Sequence, residues 1–192
     1  MSEYNPNSSV LFGTEYWRIG KDFDFCYGHR VWTQELDPSL SLETQCACRF
    51  VHGHQGKAIV YLHSNSITNG MVTDFKHLNW FKKFIDDVLD HKFIVDIDDP
   101  LLFESFLPFL KGQDSLILQN EGHYISPVED SWAPHYKELH QGVVVVPFVP
   151  TSENLAKWFY KIVQEKLKSK GILVGAVELY ETPKSRAFYS LT

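Results

Sequence analysis

"KDFDFCYGHR", residues Lys21 to Arg30, spaces Phe23, Phe25, Tyr27 and His29 two positions apart. A β-strand turns successive side chains to opposite faces, so these four share one face. The alternation predicts a strand from Tyr16 to Val31 whose aromatic face ends on an imidazole. The next stretch, "TQELDPSLSLETQ" (Thr33 to Gln45), is a loop by its Pro, Ser and Asp content. A second strand is expected from about Arg49 to His63, opening on "HGH" (His52 to His54). "NGMVTDF" turns the chain and places Asp74 to cap a helix, in which Leu78, Phe81, Ile85 and Val88 form one apolar stripe. A second helix starts at "PTSEN" (Pro150 to Asn154) and carries Leu155, Phe159, Ile162 and Leu167 on one side. Gly171 ends it. "ILVGAVELYE" (Ile172 to Glu181) is apolar on both faces and reads as a central strand, with a last short strand at Ala187 to Leu191.

Between the helices, Lys92 to Val149 breaks this regularity with "DIDDP", "LKGQDS" and "NEGHYISPVEDSWAPH". Loops of such length are uncommon unless inserted or functional. Residues 92–142 therefore read as an insertion, followed by a short strand at Val143 to Phe148. Too few apolar positions lie within it for a separate domain, so residues 1–192 are expected to form one domain with a loose N-terminus over 1–14.

The chain has 192 residues, 44% hydrophobic and 15% aromatic, which suits one soluble globular domain. Its net charge of −6 argues against general nucleic-acid binding, which needs basic surface to displace phosphate counterions. No apolar run approaches a membrane span and no signal pattern opens the sequence, so a cytoplasmic location is expected. Cys26, Cys46 and Cys48 are an odd count and read as free thiols or ligands in a reducing compartment.

"CACRFVHGH" (Cys46 to His54) packs two thiols and two imidazoles into nine positions. At ~3.3 Å per residue, one continuous strand would hold Cys46 and His54 ~26 Å apart, whereas zinc ligands lie only ~2.0–2.3 Å from the metal. His52 and His54 are close enough to chelate together, and a third ligand must come from another strand. His29 is the best candidate, and three imidazoles leave one coordination position open, the catalytic zinc pattern. Spacing alone leaves two rivals standing: a merely polar strand face, and a closed structural site of two cysteines and two histidines.

"FCYGHR", "CxCxxxHGH", "GMVTDF", "LDH" (Leu89 to His91), "PTSEN" and "VE" (Val177, Glu178) occur in an order that resembles the 6-pyruvoyl-tetrahydropterin synthase family. That family includes the 6-carboxy-tetrahydropterin synthases of queuosine biosynthesis. The resemblance implies the tunnelling fold, an α+β fold with an antiparallel four-stranded sheet and two helices on one face, assembled as a homotrimer or homohexamer. It implies Zn2+ as cofactor, held by His29, His52 and His54. The implied substrate is 7,8-dihydroneopterin triphosphate, and no nucleic acid or membrane partner follows from it.

Carried onto this sequence, the resemblance assigns the catalytic thiol to a cysteine before "HGH", a catalytic pair to Asp90 and His91, pterin contacts to Thr151, Ser152 and Glu153, and the ring anchor to Glu178. By parity with Ile172, Val174 and Ala176, Glu178 is a carboxylate on an apolar face, which requires a donor partner. Cys26 has the parity opposite to His29 and reads as packing. Members that make the carboxy product place cysteine four residues before the first histidine of "HGH", as Cys48 is. Those that make the pyruvoyl product place it six before, as Cys46 is. The expected reading is Cys48 and the carboxy product; pyruvoyl synthesis through Cys46 and a non-catalytic zinc- and pterin-binding protein are the alternatives.

Overall fold

The computed structural model describes residues 16–43 and 45–191. The expected loose N-terminus, 1–14, lies outside the described residues. Strands β1 (Trp17–His29) and β2 (His52–Ser64) form one unbroken antiparallel ladder, from Trp17 opposite Ser64 to His29 opposite His52. Phe23, Phe25, Tyr27 and His29 are all buried, as the alternation predicts.

The chain next enters a 3-10 turn, Phe75–Leu78, whose first amides are capped by Asp74 accepting from Lys76 N–H at 2.7 Å. Helix α1 (Asn79–Phe84) follows. The apolar stripe predicts one regular helix, but its end widens into a π-turn, Ile85–Leu89, that Asp90 N–H closes on Ile85 O at 2.8 Å. The wider turn brings both Ile85 and Leu89 into the core, while Val88 is half-buried. A regular α-turn would separate them in angle.

The insertion holds more structure than the single strand expected at Val143 to Phe148. It contributes β3 (Lys92–Asp96), β4 (Ile117–Leu118), β5 (Tyr124–Ile125), α2 (Pro134–Gln141) and β6 (Val143–Val146). Helix α3 (Ser152–Lys168) is capped by Thr151 and stops before Gly171, whose φ of 66° suits glycine. β7 (Leu173–Thr182) and β8 (Ser185–Tyr189) complete a sheet of eight strands, ordered β4-β5-β6-β3-β1-β2-β7-β8. The expected antiparallel unit is the contiguous block β1-β2-β7-β8, and the insertion lengthens it rather than interrupting it.

Two apolar clusters hold this sheet. The main one packs β1, β2 and β7 against α1 and α3, with Phe81 edge-on to both Phe23 and Phe159. The smaller one comprises Val95, Leu102, Leu107, Leu110, Val143 and Val145. Val144 and Val146 belong to the main cluster while Val143 and Val145 belong to the other, so β6 is covered on both faces. That is why "GVVVVPF" does not alternate. The insertion is also tied to the end of β1 beyond His29. Trp32 Nε1 donates to Asp96 Oδ2 at 2.9 Å, and Arg30 Nε lies 3.2 Å from Asp99 Oδ2, an ion pair without hydrogen-bond alignment.

β3 covers β1 only over Tyr27 to His29. The edge of β1 from Trp17 to Cys26 and the outer edge of β8 stay open within one chain. Open edges of this kind invite pairing with another copy. No helix among the described residues is long and apolar enough to cross a membrane.

Candidate active site

The β1–β2 register decides the site. His29 faces His52 across the ladder, and His54 is opposite Tyr27, one pleat further along the same face. One ring nitrogen from each of His29, His52 and His54 lies within 4.8 Å of the other two. His29 Nδ1 is 2.6 Å from Pro150 O and His52 Nδ1 is 2.8 Å from Phe50 O. A carbonyl only accepts, so both Nδ1 atoms carry the proton and each neutral ring leaves Nε2 as a lone pair. Those two Nε2 atoms stand 3.1 Å apart. Two lone pairs do not bond to each other, but they suit a cation between them. The buried His54 Nε2 has no hydrogen-bond partner either, and burial pushes its pKa down, which keeps the ring neutral and ready to ligate. The donor set fits zinc: three neutral imidazoles, fixed from behind by backbone carbonyls, around one point.

A carboxylate that the sequence reading missed completes this group. Glu181 Oε1 lies 3.3 Å from His29 Nε2 and 3.5 Å from His54 Nε2. Its hydrogen bond to His29 holds its pKa below the ordinary range despite burial. The signal was present in "ELYETP", as the last acid before the β7–β8 turn, three residues beyond the one singled out.

Glu178 itself does not join the three histidines within one chain. The parity argument assumed an unbroken strand, but β7 carries a bulge: Tyr61 pairs with Ala176 and Leu62 with Val174, leaving Gly175 unmatched. Gly175 has no room for a side chain, since a Cβ there would meet His63 Nδ1 at 2.6 Å. The extra residue flips the faces. Val174, Val177 and Leu179 meet the helices, whereas Glu178 turns to the opposite face. It stands opposite Ile59, five residues and ~17 Å along β2 from His54. It does have the donors that a buried carboxylate requires. Tyr61 O–H donates to Oε2 at 2.8 Å and Arg186 Nε lies 3.0 Å from Oε1.

The thiols sit beside the histidines on a 3-10 turn, Ala47–Arg49, anchored by Val31 N–H donating to Cys48 O at 2.8 Å. Burial pushes the Cys48 thiol up to about 11, helped by its contact with Cys46 and by the charge of Glu181. Both thiols are free and half-buried. The segment at "PTSEN" touches the site through Pro150, whose carbonyl holds His29. Thr151 and Ser152 are half-buried next to it and Glu153 is exposed. Thr151 Oγ1 accepts from Asn154 N–H at 3.3 Å, as the capping argument predicts.

Asp90 and His91 are elsewhere. They follow the π-turn around the edge of β1, where Asp90 Oδ1 accepts from Cys26 N–H at 2.7 Å and His91 Nδ1 lies 2.9 Å from Asp90 Oδ2. Cys26 projects from the face opposite His29, and its thiol is exposed, not packed as parity alone suggested. One chain therefore presents the histidine cluster on one face and the Asp90–His91 pair at the other.

The sequence model of the 6-pyruvoyl tetrahydropterin synthase family matches residues 18–191. A protein of Aquifex aeolicus named 6-carboxy-5,6,7,8-tetrahydropterin synthase is 32% identical over 184 residues, covering 90% of this chain and 97% of its own. One of the same name from Rickettsia conorii is 27% identical over 163 residues, covering 83% and 90%. Among solved structures, an uncharacterized protein from Wolinella succinogenes superposes with a TM-score of 0.88 at 49% identity, over 92% of this chain and 98% of the other. The 6-pyruvoyl tetrahydropterin synthase of Caenorhabditis elegans shares the fold, with a TM-score of 0.53 at 20% identity over 94% and 99%. The α+β tunnelling fold expected from the sequence is thus the fold observed. The family match spans the strands that carry the three histidines and both carboxylates, and the chain belongs to the 6-pyruvoyl tetrahydropterin synthase family.

Proposed function

We propose that this protein is a zinc-dependent 6-carboxy-5,6,7,8-tetrahydropterin synthase of queuosine biosynthesis, working in the cytoplasm. It converts 7,8-dihydroneopterin triphosphate to 6-carboxytetrahydropterin, acetaldehyde and triphosphate. The observation that carries this reading is the pair of imidazole lone pairs 3.1 Å apart, flanked by His54, Glu181 and a thiol-bearing turn. The carboxy product is favoured because Cys48 has the four-residue spacing and because the curated relatives carry that name.

When bound at His29, His52 and His54, zinc supplies a Lewis acid for the substrate's side-chain hydroxyls and a positive charge that favours the nearby thiolate. Cys48 then removes a proton from the acidified C–H. Glu181 orients His29 and accepts hydrogen bonds from substrate hydroxyls, a position that Glu178 does not share within one chain. Thr151, Ser152 and Glu153 offer hydroxyl and carboxylate partners for the ring beside Pro150. Asp90 fixes the His91 imidazole, which relays protons on the other side of the ring. Double bonds redistribute and triphosphate leaves without a redox cofactor. Cys46, hydrogen-bonded to Cys48, keeps the pyruvoyl reaction as the second reading.

Since the Asp90–His91 pair lies across the sheet from its own histidines, it serves the zinc site of a neighbouring subunit. The open edges of β1 and β8 supply the contacts for a closed trimer, or a hexamer of two trimers. This makes a specific expectation. His52→Ala and His91→Ala are each inactive alone. Mixed and reassembled at equal concentrations, they regain about a quarter of parental activity, because that share of sites combines an intact His52 with an intact His91. Triphosphate release checks it. Mixtures no more active than the separate variants would place both groups in one chain or remove His91 from the chemistry.

A further inference from the structure

The outer face of the sheet carries a second set of metal-type side chains. Among the described residues, one ligand atom from each of Cys26, Asp90 and His91 lies within 4.8 Å of the other two. We propose that these three residues form a second zinc-binding site, separated from the three histidines by the sheet itself.

The group is built by the backbone rather than by chance proximity of surface side chains. Cys26 and His91 are clasped in both directions: Cys26 N–H donates to Asp90 Oδ1 and His91 N–H donates to Cys26 O, each at 2.7 Å. The π-turn delivers Asp90 to this point. His91 then adopts a φ of 60°, in the left-handed region that residues other than glycine seldom occupy. Such backbone is a marker of functional positions, and here it swings the imidazole back onto the carboxylate.

The chemistry fits a borderline dication. Thiolate, imidazole and carboxylate are all zinc ligands, and bonds of ~2.0–2.3 Å in a tetrahedron set neighbouring donors ~3.3–3.7 Å apart. The observed contacts bracket this: 2.9 Å between His91 Nδ1 and Asp90 Oδ2, and under 4.8 Å for each thiol distance. Asp90 is held ionised by its hydrogen bond from Cys26 N–H. A thiolate beside it is repelled unless a cation stands between them, and Zn2+ with one thiolate and one carboxylate is neutral overall. Cys26 and His91 are exposed, so the ion has access from solvent. Gln55, directly across the ladder from Cys26 and on the same face, flanks the fourth position with an amide oxygen.

The site stands on this geometry and does not need the proposed reaction. Its consequence does rest on that reading: a metal here occupies the proton-relay pair, so zinc beyond one equivalent per chain inhibits turnover.

The test is metal binding, read without activity. Apo-protein titrated with Zn2+ is expected to take up two equivalents per chain, and Cys26→Ser only one. With Co2+, His52→Ala still develops thiolate-to-cobalt charge-transfer absorption, also when Cys46 and Cys48 are serine, and loses it when Cys26→Ser is added. In the unaltered protein, saturating Zn2+ slows alkylation of Cys26, followed by peptide mass spectrometry, by at least about tenfold. A single equivalent in the parent, an absorption band that depends on Cys46 or Cys48 instead, or alkylation of Cys26 indifferent to zinc would each overturn the site.

Discussion

His52→Ala is expected to lose the metal of the three-histidine site and to lower turnover at least about a thousandfold. Lewis-acid stabilisation is worth several kcal/mol, and each ~1.4 kcal/mol is a factor of ten in rate. His52 is the least replaceable ligand in geometric terms. It stands opposite His29, its Nδ1 proton is committed to Phe50 O, and its Nε2 faces His29 Nε2. Without it, two imidazoles and a carboxylate remain, a weaker set with two open positions. The fold should survive, because His52 is only half-buried at the end of β2 and no core cluster includes it. Metal content by plasma mass spectrometry, together with an unchanged circular dichroism spectrum, separates loss of the site from unfolding. Zinc retained at this site in the variant would remove the ligand assignment.

Cys48→Ala is expected to lower turnover by about 10²–10⁴-fold, the usual worth of a positioned general base, while zinc stays bound. Cys46→Ala should keep most of the activity. The two thiols share one short turn and touch each other, so the difference between them is a question of protons. Burial is the main reason the Cys48 thiol stands high, and contact with Cys46 is the next. Removing Cys46 lowers the Cys48 pKa, so the pH at which turnover rises to its plateau should move down. The reverse pattern, with Cys46→Ala inactive and Cys48→Ala active, would transfer the role to Cys46 and favour the pyruvoyl product.

Much of this site was legible before any coordinates. Strict alternation from Phe23 to His29 and an even offset between His52 and His54 force three imidazoles onto one face once the two strands pair. What failed was anything that breaks a period. The bulge at Gly175 shifts one strand by a residue, which turned Glu178 away and left Glu181 unnoticed. The π-turn after Phe84 has no distinct apolar spacing, since its extra residue is visible only as Leu89 joining Ile85 in the core. β3 and β6 are covered on both faces by helices and insertion, so "FIVD" and "VVVV" offer runs rather than alternation. β4 and β5 are two residues each, below any periodic signal. Asp90 and His91 were found as a motif, but only the model's geometry puts them on the face away from their own histidines.

The most direct test of the proposed activity is the product itself. Purified zinc-loaded protein is incubated with 7,8-dihydroneopterin triphosphate, and the mixture is resolved by liquid chromatography and mass spectrometry. The expected result is 6-carboxytetrahydropterin with acetaldehyde and triphosphate in equal amounts, absent from the Cys48→Ala reaction. Accumulation of 6-pyruvoyl-tetrahydropterin without acetaldehyde would contradict the carboxy assignment, and unconsumed substrate in the presence of bound zinc would contradict the catalytic reading altogether.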